Sequence, residues 1–121
     1  MHEMSLVEAI LESLLPLCEK NRWNRVERLV LRIGSLRQVI PEALVFCFEA
    51  ASSGTPLAGA LVEIKEVPIR QKCSSCGLEW EGEVPLGRCS GCRSADVVTV
   101  AGLELEIEAL EVLEDANESV S

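Results

Sequence analysis

Long apolar runs, basic residues and histidine are all scarce in this chain of 121 residues. The longest unbroken apolar run, residues 43–48, is far shorter than the ~20 residues of a membrane helix, so we predict no membrane span. The chain has only 11 basic residues but 20 acidic ones, and the formal net charge of −9 disfavours contact with the phosphates of DNA or RNA. His2 is the one histidine and stands at the chain end, which excludes a catalytic triad built on histidine.

A basic segment is also missing from the start of the sequence, where Glu3, Glu8 and Glu12 stand instead. A secretory signal begins with such a segment, so we expect a cytoplasmic protein. In that reducing compartment, six cysteines indicate metal or thiol chemistry more readily than disulfides. The length suits one compact domain, or one domain with a small satellite, and the hydrophobic content of 48% permits a packed core.

The first predicted helix covers residues 5–20. Ser5 and Glu8 have the spacing of a capping box, and apolar residues recur every three or four positions behind them. Pro16 removes a backbone donor inside this helix, which predicts a kink or a frayed last turn. Residues 1–4 are expected to form a short exposed arm ahead of the helix.

A second helix and three strands follow. The helix opens at Pro41 and stops at residues 52–54. Alternation of apolar and polar residues predicts strands over 25–34, 60–67 and 103–113. These elements predict an α+β fold in which two helices pack on a small three-stranded sheet.

Charged residues are unevenly spread over the predicted strands. Arg28 and Arg32 face away from the core, and we expect Arg28 or Arg32 to pair across strands with the acidic row of Glu104, Glu106 and Glu108, the alternative being an acidic docking surface. The alternation slips at residues 109–110, which suggests a bulge or the departure of the last strand from the sheet.

The segment 68–100 differs from its surroundings, because it holds four cysteines and few residues able to build a core. We predict that it forms a small lobe inserted into a discontinuous α/β domain made of 1–67 and 101–115. Residues 116–121 are expected to form a tail.

The lobe contains two C-x2-C pairs separated by residues 77–88. This spacing predicts a tetrahedral zinc site, one per chain, and its four thiolates leave no open position for catalysis. Gly77 permits a positive φ directly after the first pair. Two disulfides, a dithiol redox pair or an iron–sulfur cluster are the alternatives. The predicted zinc ligands are Cys73, Cys76, Cys89 and Cys92, whereas Cys18 and Cys47 lie on apolar helix faces as inert core residues.

The chemistry at position 2 is distinctive, although a terminal histidine is usually only a solvated side chain. A free amine on Met1, the deprotonated amide of His2 and its imidazole form two fused chelate rings, and the amide or carboxylate of Glu3 completes a planar set of four donors. Such a set suits Ni(II) or Cu(II) and suits zinc poorly. Its affinity must fall on acidification, because the donors bind metal only when deprotonated.

The chain resembles the HypA/HybF hydrogenase nickel-incorporation proteins. The resemblance rests on residues 1–5 (MHEMS), 31–34 (LRIG), 41–44 (PEAL), the two cysteine pairs and the alternating strand 103–107, and it extends to about residue 113. It implies a nickel metallochaperone with no catalytic turnover, in which His2 is the principal nickel ligand, Met1 and Glu3 assist, and the four cysteines hold structural zinc.

The resemblance also implies partners. These are the companion nickel GTPase HypB and the large subunit of [NiFe]-hydrogenase, which receives the nickel; since some relatives serve urease, urease maturation proteins are further candidates. Two other functions stay open from the residues alone. One is a zinc-ribbon interaction module in transcription or translation, which the net charge disfavours, and the other is a dithiol oxidoreductase with a reactive cysteine of low pKa.

Overall fold

The computed structural model describes residues 2–113; Met1 and the tail predicted at 116–121 lie outside the described residues. The described chain forms two compact units. The first contains residues 2–31, 39–63 and 107–113, and the second contains Arg32–Gln38 and Ile64–Glu106. Within residues 2–113, no helix combines the length and apolar character needed to cross a bilayer.

Helix α1 spans His2–Asn21, so it starts earlier than the sequence predicts. The expectation of an exposed arm at 1–4 is wrong for residues 2–4, which are helical. A tertiary contact accounts for the difference, because the Glu3 carboxylate accepts a hydrogen bond from the backbone N–H of Ile40 at 3.3 Å. The negative charge of Glu3 in the first turn also interacts favourably with the positive end of the helix dipole.

The last turn of α1 is not frayed, because the helix continues past Pro16 to Asn21. Arg22 adopts the left-handed conformation with φ of 58°, and the Trp23 N–H donates to the Cys18 carbonyl at 2.9 Å. The Arg22 N–H donates to the Glu19 carbonyl at 3.2 Å, which completes a Schellman motif. This cap holds the end of the helix despite the donor missing at Pro16.

The first sheet has the order β2-β1-β6, formed by β1 (Val26–Gly34), β2 (Leu61–Val67) and β6 (Leu105–Val112). A short 3-10 helix (Ser35–Arg37) and α2 (Pro41–Ser52) lie between β1 and β2. The Gly34 N–H bonds to the Glu104 carbonyl and the Leu113 N–H to the Arg25 carbonyl, so β1 and β6 are antiparallel.

These bounds confirm the predicted second helix and three strands to within one or two residues. Leu29, Leu31 and Ile33 of β1 are buried as expected. The apolar residues of the predicted last strand are not well covered: Leu103, which precedes β6, is 59% exposed, and Ile107 within β6 is 37% exposed.

Arginine–glutamate pairs line one face of the first sheet. Arg32 binds Glu106 at 2.7 Å, which confirms the predicted pairing, and Arg28 binds Glu111 and Glu63. Arg28 and Arg32 share a face of β1, yet their partners on β6 lie five residues apart, a spacing that a regular strand places on opposite faces. The side-chain alternation of β6 therefore changes phase between Glu106 and Glu111, as the slip at residues 109–110 predicts.

The second sheet was not predicted. It has the order β4-β3-β5, formed by β3 (Ile69–Cys73), β4 (Glu79–Gly82) and β5 (Val97–Ala101), and both pairings are antiparallel. Gln71 on the central strand faces Trp80 on β4 and Thr99 on β5. The first cysteine pair starts at the end of β3, and the second pair lies in the connection between β4 and β5.

Two glycines of the second unit allow a close approach of backbones. A Cβ added to Gly34 would lie 2.0 Å from the carbonyl carbon and oxygen of Gly102. Gly102 has φ of 120°, and a Cβ there would meet the Cα of Ile69 at 3.1 Å. The end of β1 can therefore touch the segment that follows β5 only because residue 34 has no side chain, whereas the glycine at 102 serves its positive φ and the contact with Ile69.

Candidate metal centre

Two turns of the same form carry the four cysteines. In the first knuckle (73–78), the Cys73 N–H donates to the Leu78 carbonyl at 2.8 Å and the Gly77 N–H donates to the Cys73 carbonyl at 2.9 Å. The second knuckle (89–94) repeats this pattern: the Cys89 N–H bonds to the carbonyl of residue 94, and the N–H of residue 93 bonds to the carbonyl of Cys89, both at 2.9 Å. The chain reverses after each pair, which brings both cysteines of a knuckle to the same side.

The residue after each second cysteine has a positive φ. Gly77 has φ of 82°, which confirms the prediction for the first knuckle. Arg93 takes the corresponding position in the second knuckle with φ of 64°, and no sequence signal indicated it because the residue is not glycine. The turn itself therefore imposes this conformation, whichever residue occupies it.

The four sulfur atoms converge on one point. All lie within 4.8 Å of one another, and Sγ atoms are 3.5 Å apart for Cys73 and Cys92 and 3.6 Å apart for Cys76 and Cys89. Tetrahedral zinc with Zn–S bonds of ~2.3 Å requires sulfurs ~3.8 Å apart, so the residues fit that ion. The short distances run between the knuckles, so the cluster is shared by both pairs and is not two separate dithiols.

Backbone amides make the first cysteine of each pair the better thiolate. The Cys76 N–H lies 3.5 Å from the Cys73 sulfur and, with further hydrogen bonds, lowers the pKa of Cys73 to about 6. The N–H groups of Cys92 and Gly91 lie 3.5 and 3.3 Å from the Cys89 sulfur and lower the pKa of that thiol as well. Thiolates are the form that binds metal, so the knuckle turns prepare two ligands in advance.

The second cysteine of each pair keeps its proton. The backbone N–H of Ser94 lowers the pKa of Cys92, but hydrogen bonds to the other three sulfurs and burial raise it more, to about 12. For Cys76, a backbone hydrogen bond with Leu78 also lowers the pKa, yet the neighbouring thiols and burial leave it above its ordinary value. Without metal at neutral pH, Cys73 is therefore a thiolate while Cys76 and Cys92 are thiols.

A buried glutamine lies next to the knuckles. Gln71 is 4% exposed; its side-chain oxygen accepts hydrogen bonds from the Leu86 N–H at 2.8 Å and the Trp80 indole N–H at 3.0 Å. Its side-chain nitrogen donates to the Leu86 carbonyl at 3.0 Å. Sequence reasoning missed this residue, because a glutamine between arginine and lysine carries no signal of burial.

The other predicted site residues lie in the first unit. His2 is exposed on the first turn of α1, and the half-buried Glu3 uses its carboxylate to bind the Ile40 amide. Met1, the third predicted nickel ligand, is outside the described residues. Cys18 and Cys47 are buried as expected, and burial raises the pKa of the Cys18 thiol. Across residues 2–113, the four cysteines are the one cluster of three or more metal-binding side chains.

Comparison with known proteins agrees with the resemblance seen in the sequence. The HypA family model, described as "Hydrogenase/urease nickel incorporation, metallochaperone, hypA", matches residues 1–112. The hydrogenase maturation factor HypA of Nostoc sp. is 40% identical over 114 residues, which cover 94% of this chain and 97% of the relative. The Geobacter sulfurreducens protein of the same name is 40% identical over 113 residues, with 93% and 99% covered.

Solved structures are similar as well. The solution structure of the Ni metallochaperone HypA from Helicobacter pylori aligns with a TM-score of 0.68 at 25% identity and covers 95% of this chain and all of that chain. A second solution structure of a HypA protein aligns with a TM-score of 0.70 at 25% identity, with 93% and 97% covered. This chain therefore belongs to the HypA family of nickel-incorporation metallochaperones, proteins of hydrogenase maturation that are not enzymes.

Proposed function

We propose that this protein binds Ni(II) at the start of α1 and delivers it to the large subunit of [NiFe]-hydrogenase, while its four cysteines hold one structural zinc ion. The observation that carries the proposal is the exposed position of His2 on the first turn of α1, in a chain that matches the family over residues 1–112. Because His2 is exposed, a metal ion and an acceptor protein can approach this end of the helix from solvent.

The helical start supports a planar set of nitrogen donors. The first turn of an α-helix offers its amide groups no carbonyl acceptor within the helix, so deprotonation of these amides by a metal ion breaks no helical hydrogen bond. Deprotonated amides carry negative charge, which the positive end of the helix stabilises. The amine of Met1, the amide and imidazole of His2, and one donor from Glu3 would then surround Ni(II) in the square-planar geometry that this ion favours.

The contact of Glu3 with α2 selects its donor atom. The Glu3 carboxylate accepts the Ile40 N–H at 3.3 Å, at the residue that precedes Pro41 and the first turn of α2. Moving this carboxylate to nickel would break that hydrogen bond and remove a negative charge from the start of α2. We therefore assign the fourth nickel position to the amide nitrogen of Glu3 and give its carboxylate a structural role.

Zinc and nickel have separate tasks in this proposal. Four thiolates complete the zinc shell, so that ion stabilises the lobe formed by residues 68–100 and takes no part in transport. Nickel leaves the nitrogen donors by ligand exchange when an acceptor offers stronger, sulfur-rich ligands. We propose that the GTPase HypB and the hydrogenase large subunit are the partners, with urease maturation proteins as further candidates, and that transfer takes place in the cytoplasm, where thiolates stay reduced.

The test uses untagged, zinc-loaded protein that begins at Met1. Titration with Ni(II) should give one tight site with the absorption band of planar nickel, and His2→Ala should abolish it without changing the fold. Glu3→Gln should keep the planar band, because the amide remains, and Glu8→Gln on the same helix is the matched control. One-site binding that survives in His2→Ala would reject the assignment, and loss of the planar band in Glu3→Gln would transfer the fourth position to the carboxylate.

A further inference from the structure

The loop that enters the second knuckle has few interactions of its own. Residues 83–88 join β4 to Cys89, and every one of them is exposed. In the described part of the chain, none of them makes a backbone-to-backbone hydrogen bond. The segment that leaves the same knuckle is held differently, since the Ser74 N–H donates to the Asp96 carbonyl at 2.8 Å and the hydroxyls of Ser75 and Ser94 lie 2.9 Å apart.

The Arg88 side chain bonds to the Arg93 carbonyl at 3.1 Å within the second knuckle, and Gln71 supplies the hydrogen bonds that hold the loop to β3. Its side-chain amide bonds to both the N–H and the carbonyl of Leu86, as the backbone of a neighbouring strand would. Gln71 stands two residues before Cys73, and Leu86 stands three residues before Cys89. One buried amide therefore connects the strand that enters the first knuckle with the loop that enters the second.

We propose that Gln71 is a positioning residue of the metal site, which holds the second knuckle against the first independently of the metal. The proposal rests on the proposed zinc site. When one sulfur dissociates, ligands that stay together can bind the ion again. The hydrogen bonds of Gln71 to Leu86 therefore slow zinc release. Groups that orient metal ligands without touching the metal typically contribute 10–100-fold in affinity. Because Ser74 and Ser75 already hold the other side of the knuckle, we expect the lower end of that range.

A purely structural explanation would assign Gln71 the task of satisfying the Trp80 indole in the lobe interior. The two explanations differ in which substitution should speed zinc release. Trp80→Phe removes the indole hydrogen bond and leaves both bonds to Leu86 intact. Gln71→Met keeps the length of the side chain and removes all three bonds. Thr99→Val changes the residue that faces Gln71 from β5 and is the matched control.

The first measurement is backbone hydrogen exchange in the zinc-loaded full chain. The Leu86 amide should exchange at least about tenfold more slowly than the amides of Val84 and Gly87, because it alone among them donates to a buried acceptor. Leu86 exchange as fast as that of its neighbours would overturn the proposal, and this result does not depend on whether any variant folds.

The second measurement is the rate of zinc transfer to an excess of a chromogenic chelator. Gln71→Met should release zinc about tenfold faster than wild type, whereas Trp80→Phe and Thr99→Val should stay within about twofold. Equal rates for Gln71→Met and wild type would reject the role of Gln71 and leave the zinc assignment standing. Elemental analysis that finds no zinc in the wild type would reject both, even if Leu86 were protected.

Discussion

Zinc binding to the four cysteines should release between two and three protons at pH 7. Zinc binds thiolates, so each thiol of the metal-free cluster must lose its proton. With a pKa of about 6, Cys73 is already ~90% thiolate at pH 7 and releases only ~0.1 proton. Cys76 and Cys92, whose pKa values are raised, release one each, and Cys89, whose pKa is lowered, releases less than one.

The same count sets the dependence of zinc affinity on pH. Each proton released makes the association constant about tenfold weaker per pH unit of acidification, so two to three protons give about 100-fold to 1000-fold. The dependence should steepen below about pH 6, where Cys73 also becomes protonated in the metal-free chain and must be deprotonated on binding.

Calorimetry in buffers of different ionisation enthalpy measures the protons released directly. Zinc is titrated into metal-free protein at pH 7, and the slope of the observed heat against the buffer ionisation enthalpy gives the number. Four ordinary thiols with a pKa of 9.0 would release about four protons, and that result would refute the unequal roles assigned to the two cysteines of each knuckle. Cys47→Ala, which removes a buried thiol from the first unit, should leave the number unchanged.

Two substitutions test the packing. Gly34→Ala should lower the free energy of unfolding by about 3 kcal/mol, because a Cβ 2.0 Å from the Gly102 backbone forces the two backbone segments apart. Urea denaturation measures this against Gly87→Ala, whose added Cβ has nothing within 4 Å, and equal stability of the two variants would contradict the close approach. Ser52→Ala should raise the free energy of unfolding by about 1 kcal/mol, since the buried Ser52 hydroxyl has no hydrogen-bond partner within the described residues. Thermal unfolding measures this against Ser53→Ala at the exposed neighbouring position, and a loss of stability in Ser52→Ala would show that the hydroxyl has a partner.

Local patterns predicted the parts of the fold that periodicity controls. The buried Leu29, Leu31 and Ile33 of β1 follow from strict alternation, and α2 starts where Pro41 predicts. The start of α1 could not be predicted in this way. Ser5 has the local signature of a helix start, but the contact of Glu3 with Ile40, which is 37 residues away in sequence, extends the helix to His2.

The candidate metal site was likewise predictable only in part. Cysteine spacing predicted which four sulfurs converge, because two turns of fixed length leave few alternatives. The sheet beneath them was missed, since its strands span only four or five residues and two of them, β3 and β4, carry charges such as Arg70 and Glu81. Gln71 was missed because its burial results from contacts with β4 and the loop at Leu86, not from its neighbours in sequence.

The meeting of Gly34 and Gly102 has a consequence for how this chain can diverge. Most contacting pairs tolerate a larger residue on one side when the other side becomes smaller, and such exchanges leave correlated substitutions in related sequences. Here both partners are already the smallest residue available, so no second change can make room for the first. We therefore expect the two positions to be invariant rather than correlated, which would hide one of the tightest contacts of the fold from any search for coevolving pairs.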